Sequence, residues 1–253
     1  MKSEAQAFLS VFDRIYVINL AHRDDRRREM QAELGRIGLG LDHPSVTVFQ
    51  ASFPPDPGAF PTRGARGCFE SHLRLHQQIQ QDGVSRALIL EDDADFAPGF
   101  ADRLAAITDD LHRLDWDQFL SVSPQVPQPG DEEIGAELLR LSPQHHFPLA
   151  HFMGVSARFS ELAIPFLQAM QARSAGDPAG GPMHVDGAYG WLRAAHPELM
   201  VLTTRAPLAV QRSSRSDIAD LPVWDRVPGV RQLAGSFRRF PPLVALMRRI
   251  RGH

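Results

Sequence analysis

Lysine is nearly missing from this chain: Lys2 is the only one, and every other strongly basic residue is arginine. A GC-rich coding sequence accounts for that bias. Arginine also suits phosphate recognition, which only individual positions can reveal. Cysteine is as scarce. Cys68 stands alone, which excludes an intrachain disulfide and any multi-cysteine zinc site. No run approaches about 18 apolar residues, so no segment is expected to span a bilayer. The start, MKSEAQAFLSVFDRIYVINL, lacks a cationic stretch followed by an apolar core and a small-residue cleavage site. No secretory signal is expected, and a cytoplasmic, reducing location is the default. The net charge of -3 gives no ground for nucleic-acid binding.

What is present fits one large α/β domain, since such folds often run to about 250 residues as a single unit. Strands alternate with helices through the first half, which favours a mainly parallel sheet. Residues 14–19 (RIYVIN) read as a buried strand. A helix is predicted over 24–37, with Met30, Leu34 and Ile37 at helical spacing and Gly38 as its stop. Residues 45–49 form a second strand. Residues 52–67 carry four prolines and three glycines and read as a loop. A helix over 68–81 follows. Residues 87–90 form a short apolar strand that runs straight into Glu91-Asp92-Asp93. Phe100, Leu104, Ile107 and Leu111 mark an amphipathic helix. Further strands are expected over 119–122, 138–141, 151–157 and 199–203, with a helix over 159–173. The chain divides into a domain over 1–236 and a basic, amphipathic tail over 237–253.

Three carboxylates at the end of a buried strand invite a chemical explanation. In open α/β sheets, ligands bind beyond the carboxyl ends of the strands. Oxygen-rich ligand sets suit magnesium or manganese. A cation there can neutralise charge developing on a leaving diphosphate. The competing reading is a solvated acidic turn ahead of the next helix.

Three ordered segments bear on that choice: IYVINLAHRDDRR (15–27), GCFESHLRLH (67–76) and ALILEDDADF (87–96). The set resembles glycosyltransferase family 25, the lipooligosaccharide-type galactosyltransferases with collagen-galactosylating relatives. The match continues more weakly through HFMGVSA, HVDGAYGWL and LAVQRSSRSDI, to about residue 218. The resemblance implies a GT-A type, Rossmann-like fold, a UDP-sugar donor (usually UDP-galactose), Mn2+ or Mg2+, and transfer with inversion to a saccharide acceptor. The acceptor could be the core of lipopolysaccharide or lipooligosaccharide.

Residue by residue, the resemblance assigns Asp93 to the metal and Glu91 and Asp92 to the donor ribose or to contacts behind the metal. Asn19, Arg23 and Arg26 match the first motif, where a guanidinium could grip a diphosphate bidentately. Arg27 and Arg28 are expected on a solvated helix face. Ser71 and His72 match a Ser-His pair, in which the histidine is either catalytic or a buried structural residue. Cys68 is expected to pack in the core. Asp186 matches a later acidic motif and is either the general base or a helix N-cap. His184 is a candidate third metal ligand and His151 a weaker one. Gln211, with Ser213, Ser216 and Asp217, matches a C-terminal motif that would fold over the donor.

The chain departs from the family pattern at Phe152 and Met153, at Phe159-Ser160-Glu161 and at Gly187, which leaves the acceptor open. Two other functions compete: a nucleotidyltransferase on a similar sheet, and a non-catalytic sugar-nucleotide or glycan-binding module. The tail reads FRRFPPLVALMRRIRGH. It could lie on an anionic membrane, making the protein peripheral to the inner face, or dock on its own domain.

Overall fold

A computed structural model describes residues 4–121, 127–145 and 150–212. The elements in chain order are α1 (Glu4–Val11), β1 (Arg14–Asn19), α2 (Asp24–Gly35), β2 (Val46–Gln50), α3 (Arg63–Gln81), β3 (Arg86–Glu91), β4 (Ala94–Phe96), α4 (Phe100–Arg113), β5 (Gln118–Leu120), β6 (Glu132–Glu133), β7 (Leu138–Arg140), β8 (Phe152–Ser156), α5 (Ala157–Ala172), α6 (Val185–Ala195), β9 (Val201–Thr204) and β10 (Ala209–Gln211). The tail over 237–253 lies outside the described residues.

Eight strands form one sheet in the order β2-β1-β3-β8-β5-β9-β7-β6. The α/β architecture expected from the alternating pattern, Rossmann-like as the resemblance implies, is present. The sheet is mixed, however. β2, β1 and β3 run parallel, as do β5 and β9. β8 enters antiparallel between β3 and β5, and the β7 edge is also antiparallel. Parallel strands need helical crossovers. The helices α2 and α3 supply them in the first half.

Side chains alternate across a strand, and the two cores follow from that period. Ile15 and Val17 of β1 and Leu88 and Leu90 of β3 face one layer. There they meet Phe8 and Phe12 near α1, Met30 and Leu34 of α2, and Leu104 and Ile107 of α4. Tyr16 and Ile89 face the other layer, with Phe69 and Ile79 of α3, Phe159 and Leu167 of α5 and Tyr189 of α6. Apolar burial on both faces is the main stabilising contribution, about 25 cal/mol per Å² removed from water.

Helix α3 begins five residues earlier than the glycine and proline content suggested. Thr62 is its N-cap, and the hydroxyl accepts the Ala65 N–H at 3.0 Å. Gly67 therefore sits inside the helix. A Cβ there would come within 2.8 Å of the Ser52 carbonyl oxygen and 3.2 Å of Pro54 Cδ. The glycine that reads as a loop residue is instead what lets α3 press against the preceding loop. Helix α1 and the two-stranded ribbon of β4 and β10 also escaped sequence reading. The ribbon pairs Gln211 with Ala94 and Val210 with Asp95, so the chain returns to the acidic segment 118 residues after leaving it.

Candidate active site

β1 and β3 are parallel neighbours with Ile18 opposite Glu91, so both strands deliver their last residues to the same sheet edge. Asn19 ends β1 and is buried. Its side-chain N–H groups reach the Arg23 carbonyl at 3.3 Å and Asp92 Oδ2 at 2.8 Å. The first contact closes the turn into α2. The second ties that turn to the end of β3. One helical turn later, the buried Arg26 guanidinium donates from Nη1 to Asp92 Oδ1 at 2.7 Å and to Asp93 Oδ2 at 3.4 Å.

The three acids consequently sit in different surroundings. Both Asp92 oxygens are engaged, one by Asn19 and one by Arg26. Asp93 Oδ2 receives longer contacts from Arg26 and from Gln211 Nε2, each at 3.4 Å. Asp93 Oδ1 is buried and has no hydrogen-bond partner among the described residues. Burial, then the charge of Glu91, push the Asp93 carboxyl up to about 7 against the opposing pull of Arg26. That oxygen is a donor of the kind a divalent cation takes, and Asp93 alone of the three acids offers one here, since Asp92 has both oxygens engaged.

Glu91 points to the opposite face, toward α3. Its Oε1 lies 3.4 Å from His72 Nε2 and 3.7 Å from Cys68 Sγ. Burial works against its charge. The hydrogen bond from His72, with the charges of His72 and His151, outweighs burial and holds the carboxyl below its usual range. Behind His72 runs a buried polar chain. His72 Nδ1 is 3.0 Å from the Tyr189 hydroxyl, that hydroxyl is 2.8 Å from His76 Nε2, and His76 Nδ1 is 3.0 Å from Ser160 Oγ. Burial, then the charge of His72, depress His76 to about 3, so it is neutral at physiological pH.

The other sequence candidates fall as follows. Arg23 grips Asp25 through Nε and Nη2 at 2.9 and 2.8 Å. Arg27 and Arg28 are exposed, as expected, while Arg26 is buried among the acids. His184, not Asp186, is the N-cap residue of α6, and it is exposed, without a side-chain cap bond. Asp186 lies in the first turn, where Oδ1 accepts the Gly187 N–H at 2.8 Å. It is partly exposed, and its charge bears on Cys68 and Arg193. His151 is buried, and its carbonyl accepts the Glu91 N–H at 3.0 Å. Gln211 reaches the acids through the β4–β10 ribbon, whereas Ser213, Ser216 and Asp217 lie outside the described residues.

Two features were missed. Cys68 does not simply pack: it joins His72 and Glu91 in a compact group of potential metal ligands. The i, i+4 spacing of Cys68 and His72 was visible in the sequence, but their shared contact with Glu91 was not. Arg212 was also overlooked. It pairs with Asp95 and Glu29, and its N–H donates to the Asp93 carbonyl at 2.7 Å.

Comparison with known proteins agrees with the motif reading. Residues 12–125 match the model for "Glycosyltransferase family 25 (LPS biosynthesis protein)". That span includes β1 through β5 and the whole acidic triplet, but not Asp186 or Gln211. The chain is 30% identical over 164 residues to procollagen galactosyltransferase 1-B of Xenopus laevis, covering 57% of this chain and 27% of the relative. It is 32% identical over 124 residues to inactive glycosyltransferase 25 family member 3 of Homo sapiens, covering 42% and 21%. It is 29% identical over 159 residues to a glycosyltransferase 25 family member of Aedes aegypti, covering 56% and 26%. The chain thus spans about a quarter of the length of the curated relatives it matches. Residues 12–125, which hold the first two motifs and the acidic strand end, are thus similar to glycosyltransferase family 25.

Proposed function

We propose that the protein transfers a hexose, galactose in the first instance, from a UDP-sugar to a saccharide acceptor such as the core of a lipopolysaccharide. The observation that carries this reading is Asp93 Oδ1, buried and without a partner among the described residues, at the carboxyl edge of parallel strands, where α/β folds bind nucleotides. Asp93 would hold Mn2+ or Mg2+, with His184 as a further candidate ligand. A divalent cation there supplies positive charge opposite the departing diphosphate. Asn19 and Arg26 fix Asp92, so the strand end is pre-organised before donor arrives. Arg23, Arg26 and Gln211 would contact the donor, and Glu91 and Asp92 its ribose or the residues around it.

Asp186 would take the proton of the acceptor hydroxyl as its oxygen attacks the anomeric carbon and the bond to UDP breaks. Its partial exposure and the reach of its charge to Cys68 suit a group that meets an incoming acceptor. The basic tail over 237–253 would hold the enzyme reversibly at an anionic membrane, each arginine contributing about 1 kcal/mol. Vesicle co-sedimentation that is lost on removing those residues tests that part.

A second reading has one observation in its favour: a relative 32% identical is named an inactive family member. In that case donor and metal would bind without turnover. A thermal-shift screen of nucleotide sugars with and without Mn2+, followed by measurement of acceptor-dependent UDP release, separates the two. Metal-dependent stabilisation by UDP-galactose with UDP release supports the transferase. Stabilisation without release supports the binding module, and no stabilisation by any nucleotide sugar refutes both.

A further inference from the structure

Cys68, His72 and Glu91 form a cluster that the glycosyl-transfer reading does not use as a unit. Cys68 and His72 lie four residues apart on α3, hence on one helix face. Glu91 ends β3 and turns toward that face. The Sγ, Nε2 and carboxylate oxygen atoms all lie within 4.8 Å of one another. The same oxygen, Oε1, is 3.7 Å from Sγ and 3.4 Å from Nε2.

The two distances to Oε1 match a particular coordination geometry. Bond lengths typical of zinc, spread tetrahedrally, place a sulfur about 3.6 Å from an oxygen and a nitrogen about 3.4 Å from an oxygen. Thiolate with imidazole is also a softer set than magnesium or manganese prefers. Histidine ligands usually donate their second ring N–H to a group that fixes their orientation. His72 has that group: Nδ1 faces the Tyr189 hydroxyl at 3.0 Å. With Nδ1–H donating to Tyr189, the Tyr189 O–H can donate to His76 Nε2, and His76 Nδ1–H to Ser160 Oγ. Every member of the buried chain is then satisfied while His72 Nε2 keeps a free lone pair.

We propose that Cys68, His72 and Glu91 form a three-ligand site for a zinc-class divalent cation, separate from the hard-metal site assigned to Asp93 and oriented from behind by Tyr189. Binding replaces the thiol proton: Cys68 S–H and M2+ give Cys68 S–M and a proton released to solvent. In the metal-free protein the same distances serve hydrogen bonds to Glu91 from the thiol and from His72 in its Nε2–H tautomer, and metal binding moves that ring proton to Nδ1, where Tyr189 accepts it. The carboxylates Glu91, Asp186 and Asp93, whose charges bear on Cys68, attract a dication to the same spot. Three protein ligands leave one position open, so the ion would clamp α3 to the end of β3 while remaining able to take water or a substrate oxygen.

Because Cys68 is the only cysteine in the chain, any thiolate-to-metal signal reports this site alone. The test is a Co2+ titration of the metal-free full-length protein, read by its thiolate-to-cobalt charge-transfer absorption, with Zn2+ as competitor. The expected result is a saturable band that Zn2+ abolishes, that is lost in Cys68→Ser and that persists in Asp93→Asn. Tyr189→Phe should keep the band and weaken affinity about 10–100-fold. A measurement without mutation stands beside it: Zn2+, but not Mg2+, should block alkylation of Cys68 in the parent protein. Absence of the band in folded parent protein, or cobalt binding without a thiolate band that disappears in Asp93→Asn, overturns the proposal. So does alkylation of Cys68 that is indifferent to Zn2+.

Discussion

Replacing Arg26 by methionine removes a buried cation that contacts both Asp92 and Asp93 while keeping most of the aliphatic volume. The Arg26 and Asp92 side chains are each only 9% exposed, so solvent screens their contact at 2.7 Å little. Taking away one partner of a buried pair leaves the other charge uncompensated, which costs about 3–5 kcal/mol. For a domain of this size, at about 2–4 °C per kcal/mol, that is a fall of roughly 6–20 °C in Tm. The cost comes from the stranded carboxylate more than from the lost bond. The double variant Arg26→Met/Asp92→Asn, which neutralises Asp92 as well, should therefore regain much of the loss. The assay is thermal or urea unfolding in metal-free buffer, with all variants at one pH. A surface ion pair contributes only about 0–1 kcal/mol. If Arg26→Met unfolds within that margin of the parent, or if the double variant is no better than the single one, the buried-cluster reasoning is refuted.

Other outcomes follow from the same site. His76 is held neutral by burial, with its folded value near 3 against an ordinary histidine value near 6.5. Its contribution to stability is therefore complete above about pH 6.5 and falls by about 1.4 kcal/mol per unit as pH drops from there toward 3. Urea midpoints across that range should be flatter for His76→Asn than for the parent, and parallel curves would contradict the assignment. Asp186→Asn should lower kcat while leaving UDP-sugar affinity and Tm near normal. A first-turn acid contributes only about 0.3–1 kcal/mol to its helix. Full activity of that variant would remove Asp186 from the mechanism.

Much of this site was legible in the sequence because its pieces are local. RIYVIN and ALILEDD announce buried strands by composition, and the acids follow the second without a break. Arg26 was singled out for a diphosphate. Its burial against Asp92 depends on the parallel pairing of β1 and β3, which brings residues 66 positions apart into contact. The glycines of α3 misled because their use is tertiary: Gly67 serves close packing against Ser52, and a local pattern cannot distinguish that from a loop. The antiparallel insertion of β8 between β3 and β5 was equally hidden, since HFMGVSA reads as a buried strand in either direction. The chain from His72 through Tyr189 to His76 joins groups 117 and 113 residues apart, and only the folded chain displays it.

Asp93→Asn probes the proposed role of Asp93 as the metal-holding carboxylate of a UDP-sugar transferase. The measurement is acceptor-dependent UDP release from UDP-galactose with Mn2+, paired with Tm in metal-free buffer at pH 8. Burial and the neighbouring Glu91 disfavour the Asp93 charge, raising its carboxyl to about 7. Stability from the protonated form is therefore lost as pH rises through that value, and at pH 8 the neutral amide should unfold no earlier than the parent. Transfer should fall by at least roughly 100-fold, as when a principal electrostatic contributor is removed from a transition state. Parent-like UDP release from Asp93→Asn would rule out a metal-holding role for Asp93.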